Sequence, residues 1–168
     1  MANTPFAHIA AGHHQIAIVV KNMSAAESFF SEKMGVPRFF RFNDVEVHES
    51  FYRGEPGNFH MDISIGNAGE SQIELIQHLS GGSIYKEFLD TRGEGLHHLG
   101  FIVPGHDQVV ADFEANGFPG IQSGRIGDDP GVQFAYFDTE TAIGAIMESI
   151  VLDDNTRDLF DRIKRGDF

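Results

Sequence analysis

Apolar and polar positions along the chain change period in a regular order. Residues 15–20, Gln-Ile-Ala-Ile-Val-Val, form a short apolar run that predicts a strand. Behind Ser24, the residues Ala25, Ala26, Phe29, Phe30 and Met34 recur at helical spacing and stop at Gly35, which predicts a capped helix with a glycine end. Apolar stretches at 39–42, at 59–65 with alternation, and at 72–76 follow, each set off by Gly, Asn, Asp or Pro, and predict three strands. A turn at Ser80-Gly81-Gly82 precedes 83–90, where Ile84, Phe88 and Leu89 indicate a short connecting helix.

The same succession then starts again. Residues 99–103 are strand-like, Asp107 opens a helix that carries Val110 and Phe113 and ends at Gly117, and three further strands are predicted at 121–126, 132–137 and 145–151. With Gln15 and His98 as opening positions, Ser24 and Asp107 each lie nine residues further on, and Gly35 and Gly117 lie 20 and 19 further on. Matched offsets across two elements mark an internal repeat, βαβββ twice. The division is a first module at 13–79, a connecting helix within 80–96, a second module at 97–152 and an appended C-terminal helix within 153–168, where Leu159, Phe160 and Ile163 share a face. This predicts one compact α+β domain.

Polar residues interrupt the strands at corresponding places. In the first strand Gln15, Ala17 and Val19 share one face, and Ile16, Ile18 and Val20 the other, which is read as core. His98 stands where Gln15 stands, while Glu74 and Glu148 each break an otherwise apolar closing strand. An ionised carboxylate in such a strand costs several kcal/mol unless it is paired or bound to a cation. If both halves join one curved sheet, Gln15, Glu74, His98 and Glu148 converge. One imidazole nitrogen, one amide oxygen and two carboxylates carry charge −2, enough to neutralise a divalent ion and leave positions open for substrate. The alternatives are a glutamate facing solvent, or His97, His13 or His14 in place of one of the four. Asp62 and Tyr136 each precede one of the carboxylates by twelve residues. Asp62 is a candidate second acid or base, or else part of an exposed strand face. His60, Phe134 and Tyr136, with Phe39, Phe40 and Phe42, are candidates for a pocket wall, or else core filling.

Composition narrows the chemistry. The 168 residues contain no cysteine, so disulfides, thiol catalysis and thiolate metal sites are excluded and any metal sits on nitrogen and oxygen. Twelve Lys and Arg against 25 Asp and Glu give a net charge of −13, which repels phosphate backbones and anionic headgroups, so neither nucleic acid nor membrane is an expected partner. Residues 1–12 carry no basic region followed by a long apolar run. The expectation is a soluble cytoplasmic protein.

The segments Gln15-Ile-Ala-Ile-Val-Val-Lys-Asn-Met, Ile73-Glu-Leu-Ile, Gly93-Glu-Gly-Leu-His-His-Leu-Gly-Phe and Ile146-Met-Glu-Ser-Ile together resemble the vicinal oxygen chelate superfamily. That superfamily includes glyoxalase I, methylmalonyl-CoA epimerase, extradiol dioxygenases and bleomycin-resistance proteins. The resemblance covers roughly residues 13 to 151 and implies paired βαβββ modules in a barrel-like mixed sheet, the glyoxalase-type fold. The stretch from Ile73 through Gly100 is most similar to the epimerase, whereas the ligand order Gln, Glu, His, Glu resembles glyoxalase I of the human type. It implies Gln15, Glu74, His98 and Glu148 as ligands of one divalent ion, Zn, Ni, Co, Mn or Mg, with Glu148 as the mobile base and Glu74 the other candidate. The activity implied is an isomerase, lyase or epimerase moving a proton next to a metal-chelated carbonyl of a small molecule, in a homodimer. The other readings are extradiol cleavage of an aromatic diol, and sequestration of a small molecule without turnover. Arg38, Arg41 and Arg53 are candidates to hold an anionic part of the substrate.

Overall fold

In the computed structural model the described residues are 9, 12, 14–128 and 130–168; His13 lies outside them. The elements run β1 (Gln15–Val19), α1 (Met23–Met34), β2 (Phe40–Tyr52), β3 (Glu55–Ala68), β4 (Ser71–Gly81), α2 (Ile84–Thr91), β5 (Gly95–Ile102), α3 (Asp107–Ala115), β6 (Gly120–Ile126), β7 (Val132–Phe137), α4 (Glu140–Ile143), β8 (Ile146–Val151) and α5 (Asp154–Arg165). The strands close a barrel in the order β1-β4-β3-β2-β6-β7-β8-β5. The pairs β1·β4 and β5·β8 are parallel and the others antiparallel. The α+β, barrel-like mixed sheet with a C-terminal helix agrees with the fold expected from the sequence. No helix among the described residues is long and apolar enough to cross a membrane.

The barrel wall is apolar on both sides. Ala17, Val19, Met61, Ile63, Ile65, Phe134 and Tyr136 belong to the interior cluster. Ile16, Ile18 and Val20 pack instead with Met23 and Phe30 of α1, and Phe101 and Val103 pack with Val109 and Phe113 of α3. The face read from the sequence as core is therefore the layer beneath a helix, and the Gln15 face looks into the barrel. Helix α5 lays Leu159, Phe160 and Ile163 against the interior cluster from outside the repeat.

Several boundaries differ from the sequence pattern for identifiable reasons. Helix α1 starts earlier, because Asn22 rather than Ser24 caps it by accepting from the Ala25 N–H at 3.0 Å; Gly35 ends it in the left-handed region at φ 73°. His106, not Asp107, holds the cap position of α3, without a side-chain cap bond. Strand β2 runs ten residues beyond Phe42 because two bulges, between Phe42 and Val45 and between Val47 and Ser50, break the two-residue period. Asp44 and Glu49 within those bulges have φ of 50° and 48°.

Helix α1 is fastened to the barrel by one polar knot. Glu27 accepts from Arg41 Nε at 2.9 Å and Nη2 at 2.5 Å on β2, and from Ser64 Oγ at 2.5 Å on β3. Burial alone raises the Glu27 pKa, but the Arg41 and Ser64 hydrogen bonds outweigh it and hold the carboxyl below its ordinary 4.5. Its contribution to stability is whole above 4.5 and is lost as pH falls through the lower, folded value. Glu27→Gln is expected to cost about 1 kcal/mol at neutral pH, since the pair is only partly shielded from water. Thermal unfolding of both proteins from about pH 7 to about pH 3 should show the difference fading on the acid side.

Candidate functional site

Strand pairing brings the four interrupting residues to one place. Parallel β1·β4 sets Ala17 opposite Glu74, and parallel β5·β8 sets Gly100 opposite Glu148. Antiparallel β1·β5 then sets Gln15 opposite Gly100 and Ala17 opposite His98. Since Gln15 corresponds to His98 and Ala17 to Gly100 in the repeat, the register maps onto itself about an approximate twofold axis. The small residues Ala17 and Gly100 stand at its centre and leave room for the larger side chains. Gln15, Glu74, His98 and Glu148 are all buried, with 3, 8, 0 and 5% exposure.

Within the cluster His98 Nε2 is 3.1 Å from Glu148 Oε2 and 3.4 Å from Glu74 Oε2. Neither approach is aligned as a hydrogen bond. Gln15 Oε1, His98 Nε2 and Glu148 Oε2 are all buried without a hydrogen-bond partner, which is costly for three polar atoms in one interior. Gln15 donates its Nε2 to Gln72 Oε1 at 3.0 Å, which leaves Oε1 toward the cluster. A Cβ on Gly100 would stand 2.9 Å from both Gln15 Oε1 and Glu148 Oε2. Among the described residues no three His, Asp or Glu side chains make a finished chelating group. Here the imidazole and carboxylates are drawn against each other by charge, and the fourth donor is an amide.

The electrostatics follow from that crowding. Burial opposes a charge on His98, but Glu148 and then Glu74 beside it outweigh burial and raise its pKa to about 9. Burial raises the Glu74 carboxyl, with the Glu148 charge adding to the effect and His98 opposing it. His97 falls at the register irregularity of β5, between the paired His98 and Leu96, against Tyr85 and Phe88 at ring distances of 5.2 and 5.1 Å, and its Nδ1 is 3.0 Å from His98 Nδ1. It therefore sits behind the cluster rather than in it, and burial holds it well below its ordinary value. His14 stacks on Phe160 at 5.8 Å and does not line the cavity.

A cavity of about 200 Å³ opens over Gln15, Glu74 and Glu148, which line it, while His98 is fully buried beside them. Phe42, Met61, Ile63, Phe134, Ile150 and Phe160 are among its walls, so β2, β3, β7, β8 and α5 all contribute. The hydroxyls of Tyr85 and Tyr136 meet at 2.6 Å on its lining. Burial, then the charge of Glu148, keeps both pKa values far above 10, so both phenols stay protonated. Tyr85 was not singled out in the sequence. The signal was present in Tyr85, Phe88 and Leu89, which lie three and four apart on α2. Gln72 likewise sits two residues before Glu74, on the same strand face.

Other expected site residues lie elsewhere. Asp62 is on the outer face of β3, where it accepts from the Asp44 N–H at 2.8 Å, so it is not an acid or base for this cavity. Its matched count with Tyr136 fails because cross-strand partners lie nine residues apart in the β3–β4 hairpin (Ile65 to Glu74) but twelve apart across the β7–β8 connection, which holds α4 (Tyr136 to Glu148). The residue opposite Glu74 is Ile65, as Tyr136 is opposite Glu148. His60 also points outward, with Nδ1 2.8 Å from Asp44 Oδ1. Of the phenylalanines, Phe42 and Phe134 line the cavity, Phe40 packs beside Phe42 and Phe168, and Phe39 lies under α1. Arg41 is held by Glu27, Arg53 by Glu87 at 2.6 Å, and Arg38 by the backbone oxygens of Gly166 and Phe168. None of the three faces the cavity.

The place of Gly100 can be tested directly. Gly100→Ala drives a methyl group against Gln15, Glu148 and, at 3.0 Å, Ile150, and overpacking of this kind costs roughly 1–3 kcal/mol. Gly105→Ala, where the new carbon meets nothing within 4 Å, is the control and should be near neutral in urea unfolding.

Comparison with known proteins agrees with this architecture. Over 87 residues, 52% of this chain and 54% of the other, the sequence is 29% identical to the uncharacterized protein YqjC of Bacillus subtilis, so the match spans about half the length of that relative. The fold is similar to the hypothetical protein BH1468 from Bacillus halodurans, with TM-score 0.59, 22% identity, and 85% and 95% of the two chains covered. It is similar also to methylmalonyl-CoA epimerase from Mycobacterium tuberculosis, with TM-score 0.61, 16% identity, and 90% and 95% covered. At these identities the solved structures speak for the fold alone. Residues 14–136 match the model of the glyoxalase/bleomycin resistance protein/dioxygenase superfamily, and the chain belongs to that superfamily.

Proposed function

We propose that the protein is a divalent-metal-dependent isomerase, lyase or epimerase that moves a proton at carbon next to a chelated carbonyl of a small organic substrate. The observation that carries this reading is the trio of buried, partnerless atoms, Gln15 Oε1, His98 Nε2 and Glu148 Oε2, with Glu74 beside them; Gln15, Glu74 and Glu148 floor a largely apolar cavity and His98 is packed against the two carboxylates. The donor set fits a hard or borderline divalent cation: one nitrogen and three oxygens with charge −2 and no thiolate. Gln15, Glu74, His98 and Glu148 would hold it. Such an ion supplies Lewis acidity, drawing charge from two vicinal oxygens and acidifying the carbon between or beside them.

The chain's own groups do the rest. Glu148 takes the proton from carbon, and Glu74 is the second carboxylate within reach. Burial raises the Glu74 carboxyl above its ordinary value and so makes it a stronger base than a carboxylate in water. Gln72 holds the Gln15 amide so that its oxygen faces inward, and His97 accepts or shares the proton on the far nitrogen of His98, which aims Nε2 at the cluster. Tyr85 and Tyr136, both protonated, place a hydroxyl donor near the developing negative charge. The apolar walls exclude water that would otherwise return the wrong proton.

Calorimetry on metal-free protein is expected to find one divalent ion per chain, with Glu148→Gln weakened at least roughly tenfold. With metal present, solvent deuterium should enter product from a panel of 2-oxoaldehyde–thiol adducts, acyl-CoA thioesters, cyclic enones and α-hydroxyketones, and should fail to do so with Glu148→Gln. Absence of metal binding, together with a melting temperature unmoved by EDTA, would instead favour sequestration without turnover.

A further inference from the structure

The polarity of the cavity narrows the substrate class, an inference that rests on the metal-dependent reading above. No lysine or arginine is among the described residues that line the cavity. Arg41 is held by Glu27, Arg53 by Glu87 and Arg38 by Gly166 and Phe168, and Arg125 and Arg157, although adjacent in sequence to the lining residues Ile126 and Thr156, are not part of the lining. The charged lining residues other than the two glutamates on the floor are Asp128, exposed in the β6–β7 loop, and Asp153, half-buried at the start of α5. An anionic substrate would therefore pass two carboxylates and meet no counter-charge beyond the cation site itself. The total charge of −13 works in the same direction.

Size and shape add a second restriction. A cavity of about 200 Å³ is a little larger than the roughly 150 Å³ of apolar space that holds a benzene ring. Phe42, Met61, Ile63, Phe134 and Phe160 surround that space with carbon, and helix α5, which follows the second βαβββ unit, brings Phe160 and Leu159 over it.

We propose that the site takes a compact, uncharged substrate: two vicinal oxygens at the floor formed by Gln15, Glu74 and Glu148 and an apolar body of about one ring in the chamber under α5, with Asp128 and Asp153 turning away molecules that carry a carboxylate or phosphate at the far end. Acyl-CoA thioesters and glutathione adducts fall outside this class.

A matched pair of probes tests it, 2-hydroxy-1-phenylethanone and the same molecule with a carboxylate at ring position 4, titrated by calorimetry into metal-loaded protein and into Asp128→Lys. Asp128 lies in an exposed loop outside the proposed chemistry, so the variant is expected to fold. The uncharged probe should bind, the carboxylate should bind about tenfold or more weakly, and Asp128→Lys should narrow that gap. A carboxylate probe that binds as well as the neutral one, or an acyl-CoA thioester that binds better than either, would overturn the substrate class and leave the metal reading standing. Failure of both probes to bind protein shown to hold metal would overturn it as well. If the neutral probe binds equally with and without metal, and equally to Glu148→Gln, the metal reading fails while the polarity of the chamber is upheld.

Discussion

Two carboxylates and an imidazole buried inside one barrel set the terms for everything around them. Removing such groups from water costs several kcal/mol for each ion, and mutual attraction offsets this only when geometry satisfies the remaining lone pairs. Here geometry does not: Glu148 Oε2, His98 Nε2 and Gln15 Oε1 face one another without an aligned hydrogen bond. The surrounding fold absorbs that cost through its two apolar layers, one inside the barrel and one beneath α1 and α3. Such a cluster does not serve stability, and the proposed chemistry would account for the fold's carrying it.

The same constraint explains why Ala17 and Gly100 are small. They occupy equivalent positions where β1 and β5 cross the approximate twofold axis, and each faces the carboxylate-bearing strand of its own half. A side chain at Gly100 would fill the space into which the donors project. Repetition of the βαβββ unit thus places two carboxylates at matched positions, and the difference of Gln15 against His98 sets an amide opposite an imidazole.

Much of this was legible in the sequence because strands encode facing by alternation. Gln15, Glu74, His98 and Glu148 stood out as polar residues on strands that are otherwise apolar, and the closely matched offsets of Ser24 and Asp107, and of Gly35 and Gly117, tied the halves together although Asn22 and His106 hold the caps. What was not legible depended on quantities that alternation does not carry. The bulges in β2 destroyed its period, so a thirteen-residue strand read as four residues. Unequal hairpin connections made Asp62 look like the partner of Tyr136, although Ile65 is. Tyr85 was hidden on a helix whose role looked merely connective, and α5 read as an appendage although it forms part of the cavity wall.

The inequivalence of Ile65 and Tyr136 has a stereochemical consequence. The barrel presents its two acidic groups from symmetry-related strands, yet one is flanked by an alkyl side chain and the other by a phenol. A planar group resting between them would meet a hydroxylic environment on one face and a hydrocarbon one on the other. Any preference for the face on which a proton leaves or returns would then draw on this divergence between the two copies, together with that of Gln15 and His98.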